Sequence, residues 1–170
     1  MQNRAVLWFT GLSNAGKTTL TKTLSQQLQH LGCRVVRLDS DTMPLSLIKP
    51  QAPSWHERQR LKNEHLLQLA QLFYERESVV LIASVGRFRK YRDLMRQRIP
   101  NYLEIYLQCP LGVRIARDVG KKYSRHGDYF HYYEQPLQPD LTIETNKTTP
   151  DDSAQYILRE LLSREYINPS

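Results

Sequence analysis

Gly11-Leu12-Ser13-Asn14-Ala15-Gly16-Lys17-Thr18 matches the phosphate-binding pattern G-x-x-x-x-G-K-[ST] at every fixed position. Its setting matters as much as its letters. The apolar run Ala5-Val6-Leu7-Trp8-Phe9-Thr10 ends just before it and reads as a buried strand. From Lys17 the leucines recur at helical spacing, at 20, 24, 28 and 31, until Gly32 stops the helix. A strand, a glycine-bearing turn and a helix N-terminus let successive N–H groups converge on one anion, where the helix adds its partial positive charge. The stretch therefore predicts a nucleoside triphosphate site. Gly11, Ser13, Asn14, Ala15, Gly16, Lys17, Thr18 and Thr19 form the cradle, Lys17 reaches the β- and γ-phosphates, and the Thr18 hydroxyl is a ligand for Mg²⁺.

Working outward, Arg34 to Leu38 reads as a second strand, and a Pro- and Ser-rich loop runs from about Asp39 to Ser54. Leu61, Leu66, Leu69, Ala70 and Phe73 predict a helix reaching about Tyr74. Ser78 to Ala83 is the clearest buried strand, followed by a basic helix from Lys90 to Arg98 that Pro100 ends. Tyr102 to Leu107 is the fourth strand and Leu111 to Asp118 a short helix. Residues 120–139 are polar, aromatic and basic, without helix or strand periodicity. Leu141 to Ile143 is a short fifth strand, and Asp151 to Ser163 a last helix with acidic residues at its positive end. Strands alternating with helices predict an α/β fold, a parallel sheet covered on both faces.

The chain has 170 residues, enough for one domain with a real core. Hydrophobic residues at 40% and charged residues at 24% exclude a disordered chain. No apolar run is long enough to span a bilayer, and the first residues, Met1 to Trp8, lack the apolar core of a signal peptide. The only cysteines, Cys33 and Cys109, read as small core residues. A soluble, reducing, cytoplasmic setting is expected, with no membrane partner. Lys and Arg total 24 against 17 Asp and Glu, which predicts an anionic partner.

Among triphosphate-binding classes, GTPase switches and motors fit poorly. The strand Val79 to Ile82 runs into Ala83-Ser84 without the usual closing acid, and no Asn-Lys-x-Asp guanine reader is present. Asp39-Ser40-Asp41 instead puts two carboxylates at the end of the second strand, where an open parallel sheet lines its ligand crevice. Asp41 there can orient an acceptor hydroxyl or hold Mg²⁺ through water.

These residues resemble the adenylylsulfate (APS) kinases, small P-loop kinases that move the γ-phosphoryl of ATP to the ribose 3′-hydroxyl of APS. The resemblance runs through Trp8 to Leu20, with Asn14 where Gly is usual, and through Leu38-Asp39-Ser40-Asp41. It continues in Cys109-Pro110-Leu111 with Ala116-Arg117-Asp118, in Tyr133-Glu134-Gln135-Pro136, and in Pro139-Asp140-Leu141. It implies the P-loop NTPase fold with strand order 2-3-1-4-5, one kinase domain over 1–170, and a mobile lid over about 120–139. It also implies ATP and Mg²⁺ as cofactors, a small anionic nucleotide acceptor, and a homodimer. Lys17 and Asp41 become the catalytic residues. Arg114 and Arg117 are expected at the adenine or the transferring phosphoryl, and Asp39, Asp41, Arg58, Val85, Phe88 and Arg89 at the acceptor.

The departures fall on the acceptor side. Pro44 stands where the family has Arg, Pro53 and Leu61 replace its Phe and Asn, and Gly86-Arg87 replace its Ser-Pro. Trp55 is expected to supply the lost aromatic face. The lid pieces are blurred into Gly120-Lys121-Lys122-Tyr123 and Tyr129-Phe130-His131. Changed polar contacts shift acceptor preference, so a related kinase acting on another nucleotide, such as cytidine diphosphoramidate in capsule modification, is the alternative. A non-catalytic nucleotide- or RNA-binding protein is the third reading, and no RNA-recognition motif accompanies it. In the basic run after the third strand, Phe88 is expected to stack on a base and Arg89 to pair with phosphate or sulfate. Lys90, Arg92, Arg96 and Arg98 are read as a solvated helix face. His30, His56, His65, His126 and His131 have no metal-site spacing.

Overall fold

The structure, a computed structural model, describes residues 3–125 and 127–169. β1 (Ala5–Thr10) is buried at all six positions, as its continuous apolar run requires of a central strand. It lies between β3 (Val79–Ala83) and β4 (Tyr102–Gln108); β2 (Val35–Asp39) and β5 (Leu141–Glu144) form the edges, giving the order β2-β3-β1-β4-β5. Every pairing is parallel, with Ala5 opposite Val79 and Val6 opposite Tyr102. The expected fold class and strand order are those found.

Alternate side chains of β1 serve two cores. Leu7 and Phe9 pack under α1 (Lys17–His30) and α7 (Pro150–Ser163), with Leu20, Leu24, Leu28, Ile157 and Leu161. Val6 and Trp8 pack under α3 (Trp55–Tyr74) and α4 (Arg89–Arg98), with Leu66, Ala70 and Met95. Burying each large apolar side chain stabilises by about 1.5–3 kcal/mol, so the central strand is held from both sides. Among the described residues no helix is long and apolar enough to cross a membrane.

Two stretches expected to be irregular contain short helices. The loop after β2 holds α2 (Leu45–Ile48), and α5 (Leu111–Ala116) is followed by α6 (Lys122–Arg125) and a 3-10 turn at Asp128–His131. Single turns are too short for a hydrophobic period, which is why the sequence does not announce them. α3 begins where Ser54 accepts a hydrogen bond from the Glu57 N–H at 3.1 Å, an N-cap that the Ser-x-x-Glu spacing encodes.

The basic helix α4 differs from its reading. Arg92 is 0% exposed; its Nε donates to Glu104 Oε2 at 2.9 Å, its Nη2 to Glu134 O at 2.6 Å, and its Nη1 to Gly86 O. Arg96 pairs with Asp140 at 2.8 Å, while Arg98 faces solvent. Charge alone cannot separate these arginines, because their partners lie on β4 and beyond Tyr133.

Gly86 shows why this chain departs from Ser there. Its φ is +64°, and a Cβ would stand 3.0 Å from Trp8 Nε1, 3.1 Å from Thr10 Oγ1 and 3.2 Å from Arg92 Cδ. Gly86→Ala is expected to destabilise by about 1–3 kcal/mol, through backbone strain and the displaced Trp8 indole that donates to Ser84 O. Urea unfolding checks this, and an unchanged midpoint would mean that the loop relaxes freely.

Candidate active site

The C-terminal ends of β1, β2, β3 and β5 open on one cavity of about 1020 Å³, at the top of the roughly 300–1,000 Å³ range for single-ligand pockets. That is room for a donor and an acceptor together. Behind the cavity wall Gly11 turns the chain, where a Cβ would meet Leu107 O at 2.8 Å, so only glycine fits. α1 then starts without a side-chain cap and without an acidic residue in its first turn. α7, by contrast, is capped by Thr149 and carries Asp151 and Asp152. The donors of α1 are thus left for an anion.

Lys17 Nζ is folded back onto Gly11 O at 2.7 Å and Leu12 O at 3.0 Å. Its pKa is lowered to about 7, chiefly by burial, with Lys122 and Lys62 pushing it down against Asp41 and Asp39. Thr18 Oγ1 donates to Asp39 Oδ2 at 2.7 Å, and Asp39 Oδ1 accepts the Asp41 N–H at 2.9 Å. The buried carboxylate of Asp39 therefore fixes both the loop threonine and the Asp41 turn. Asp41 is exposed and pairs with Lys122 Nζ at 3.2 Å.

The Thr18 hydroxyl and Asp39 carboxylate are hard oxygen donors at the cavity wall, and no group of three or more His, Cys, Asp or Glu that could hold a metal occurs among the described residues. Such a pair suits Mg²⁺, which takes one or two protein oxygens and fills its sphere with phosphate and water. His126 lies outside the described residues. His65 Nδ1 meets Leu47 O at 2.8 Å, and His56 packs edge-on against Trp55. Cys33 is buried, which pushes its thiol pKa up.

Ser13, Asn14, Gly16, Lys17, Thr18 and Thr19 line the cavity, as do Asp39, Asp41, Arg58, Val85 and Arg117. Gly11 and Ala15 lie behind the wall, with their N–H groups on Val85 O and Leu12 O. Arg114 is also placed elsewhere: its Nε donates to Cys109 O at 3.0 Å and its Nη1 to Tyr123 OH at 2.6 Å. Phe88 is buried against Trp55 and Tyr132, and Arg89 Nη1 donates to Gln135 O. These three side chains brace Tyr123, Tyr132 and Gln135 rather than facing the cavity. Trp55 does face it, lying flat on Tyr129 with ring centroids 4.2 Å apart and planes 9° apart.

Two further departures, Asn14 and Arg87, acquire physical reasons. Asn14 sits at φ +64°, which Asn tolerates better than most residues, and its Nδ2 donates to Asp118 Oδ1 at 3.1 Å. Asp118 also accepts the backbone N–H groups of Lys122 and Tyr123, and Tyr123 OH donates to Ser13 O at 2.7 Å. The phosphate loop and the segment from Asp118 to Tyr123 are thereby one network. Arg87, in the place of a proline, donates from one nitrogen to the carbonyls of Tyr129, Phe130 and Tyr132 at 2.7–3.1 Å. Tyr133 OH closes the strap onto Thr10 Oγ1 at 2.9 Å.

Sequence reasoning missed Lys62, Lys49 and Gln59, all on the cavity wall. The signal was available on α3: Trp55, Arg58, Gln59, Lys62 and Asn63 line the cavity at positions i, i+3, i+4, i+7 and i+8. That is one helix face, but it is polar, and a search for apolar periods passes over it.

Residues 3–144 match the family model described as adenylylsulphate kinase. A probable adenylyl-sulfate kinase of Pseudomonas aeruginosa is 35% identical over 162 residues, covering 91% of this chain and 75% of the relative. That of Bacillus subtilis (strain 168) is 34% identical over 173 residues, covering 95% and 86%. Among solved structures, the Mycobacterium tuberculosis APS kinase in complex with AMPPNP and APS superposes with a TM-score of 0.83 at 23% identity. It covers 95% of this chain and 99% of that one, and at that identity shows the fold.

Proposed function

The chain belongs to the adenylylsulphate kinase family of ATP-dependent phosphotransferases, and we propose that it transfers the γ-phosphoryl of ATP to the ribose 3′-hydroxyl of adenylylsulfate. The observation that carries this reading is one cavity shared by Lys17, the Thr18–Asp39 pair, Asp41 and Arg58. The loop amides of Ser13, Asn14 and Gly16 to Thr19, with the Lys17 ammonium, hold the triphosphate and stabilise charge on the transferring group. Thr18, with Asp39 behind it, would hold Mg²⁺, which would supply positive charge to the triphosphate during transfer. Asp41, once Lys122 has left it, accepts the proton of the attacking hydroxyl. The new P–O bond forms at the acceptor oxygen as the bond to the β-phosphate oxygen breaks, and ADP leaves.

In this reading Arg58 and Val85 border the acceptor, Trp55 with Tyr129 supplies the acceptor's aromatic face, and Arg117 borders the nucleotide donor. Residues 120–139 act as the lid of a single kinase domain and exclude water during transfer. Arg114, Phe88 and Arg89 hold that lid. A homodimer is the expected assembly, checked by sedimentation.

The test is transfer from γ-labelled ATP with Mg²⁺, with adenylylsulfate and cytidine diphosphate derivatives in parallel. A 3′-phosphorylated product from adenylylsulfate is expected. Transfer only to a cytidine nucleotide, or to neither, would overturn the acceptor assignment. Asp41→Asn is expected to bind ATP normally and to lose about 10²–10⁴-fold in transfer, the usual contribution of a general base. Equal loss of ATP binding would make Asp41 a metal-holding group instead.

A further inference from the structure

The cationic residues of α3 fall into two kinds. On its outer face Arg60 is held by Glu57 and Glu64. On its cavity face Arg58 and Lys62, one turn apart, make no side-chain hydrogen bond or ion pair among the described residues. Nor does Lys49, which approaches the same wall from the end of α2. Three cations facing a cavity with no carboxylate in ion-pair contact with any of them among the described residues mark an anion site, because a protein that gained nothing from their charge would pair them as it pairs Arg60.

Asp41 marks where this site lies. It lines the same cavity as Lys17 of the phosphate loop and Lys62 of α3, and its charge acts on both. An acceptor whose hydroxyl meets Asp41 would therefore carry its own anion toward Lys62. Burial, with Arg87 and Lys49 alongside, holds the Lys62 ammonium down to about 8, against the pull of Asp41. A bound anion relieves that strain.

We propose that Lys62, with Lys49 and Arg58, binds a tandem acidic group on the acceptor, two linked phosphate or phosphate and sulfate units, and so determines acceptor specificity. This rests on the kinase reading above and names the chemistry of its acceptor side. The residues lost at Pro44 and Leu61 in this chain are thereby replaced from the next positions of the α3 face and from α2.

The experiment titrates inorganic pyrophosphate into protein saturated with AMPPNP and Mg²⁺, so that the phosphate loop is already filled. One equivalent is expected to bind. Lys62→Met should weaken that binding about tenfold or more, the size of one charge-assisted hydrogen bond, while Lys62→Arg stays near wild type and AMPPNP affinity is unchanged in both. In turnover, Lys62→Met should raise the acceptor KM while kcat and the KM for ATP hold. Absence of pyrophosphate binding to the wild type, wild-type affinity in Lys62→Met, or equal weakening of AMPPNP would each overturn the proposal. Lys62-dependent pyrophosphate binding without transfer to adenylylsulfate would sink the acceptor assignment and leave the anion site standing. Comparing adenylylsulfate with cytidine diphosphate derivatives then separates the two sources of the tandem anion.

Discussion

Lys17→Met is expected to abolish phosphoryl transfer, by about 10³-fold or more, while raising the thermal stability of the empty protein. The first effect follows from removing the loop cation that, in the proposed reaction, reaches the transferring group. The second follows from the cost of the ammonium when no phosphate is bound. Burial holds its pKa at about 7, where an unfolded lysine keeps its ordinary value of 10.5. Below pH 7 both states are protonated and the folded protein bears the full cost of the buried charge. Between pH 7 and 10.5 the unfolded chain binds more protons, so this group makes stability rise with pH, and the cost fades. The gain from Lys17→Met should therefore be largest at pH 6 and small by pH 10, at about 2–4 °C in Tm for each kcal/mol recovered. Transfer assays and melts at both pH values check it. A variant that melts lower at pH 6 would show that the bonds to Gly11 O and Leu12 O outweigh the cost of burial.

Arg92→Met is expected to destabilise the protein by about 3–5 kcal/mol, the cost of stranding a buried charge. The stranded group is Glu104 on β4, 5% exposed, whose pKa burial already raises against the pull of Arg92. The loss should shrink as pH falls and Glu104 protonates. A Glu104→Gln partner substitution should recover part of it, whereas removing unrelated contacts would add. Arg92 also donates to Glu134 O, two residues from the Tyr132 carbonyl that Arg87 holds. Limited proteolysis should therefore find residues 129–135 more accessible in Arg92→Met. Urea unfolding measures the main effect; a loss within 1 kcal/mol would return Arg92 to the solvated face that its charge suggests.

The two arginines show where sequence reading stops. Arg92 and Arg98 stand on one basic helix, and nothing within that helix distinguishes the buried one from the exposed one. The difference is Glu104, twelve residues on, and the strap near Glu134, forty-two residues on. Arg114 has the same lesson. Its type and position suit a nucleotide contact, yet its guanidinium is spent on Tyr123 and Cys109. Asp39 and Asp41 looked alike as a carboxylate pair; folding buries the first against Thr18 and leaves the second exposed.

What the sequence by itself determined was local. The phosphate loop lies within eight residues between a strand and a helix, and the alternation of buried strands with amphipathic helices specified a parallel sheet covered on both faces. Short-range sterics and hydrophobic period fix such features, and both are written in adjacent residues. Tertiary structure alone decided which cations are paired and which remain free. Arg87 closes on the Tyr129, Phe130 and Tyr132 carbonyls, Asn14 reaches Asp118, and Lys62 faces the cavity with no ion pair among the described residues, across separations that no periodicity records. A charged side chain finds its partner by position in space, and in a parallel sheet the crossover connections bring distant positions together at the strand ends.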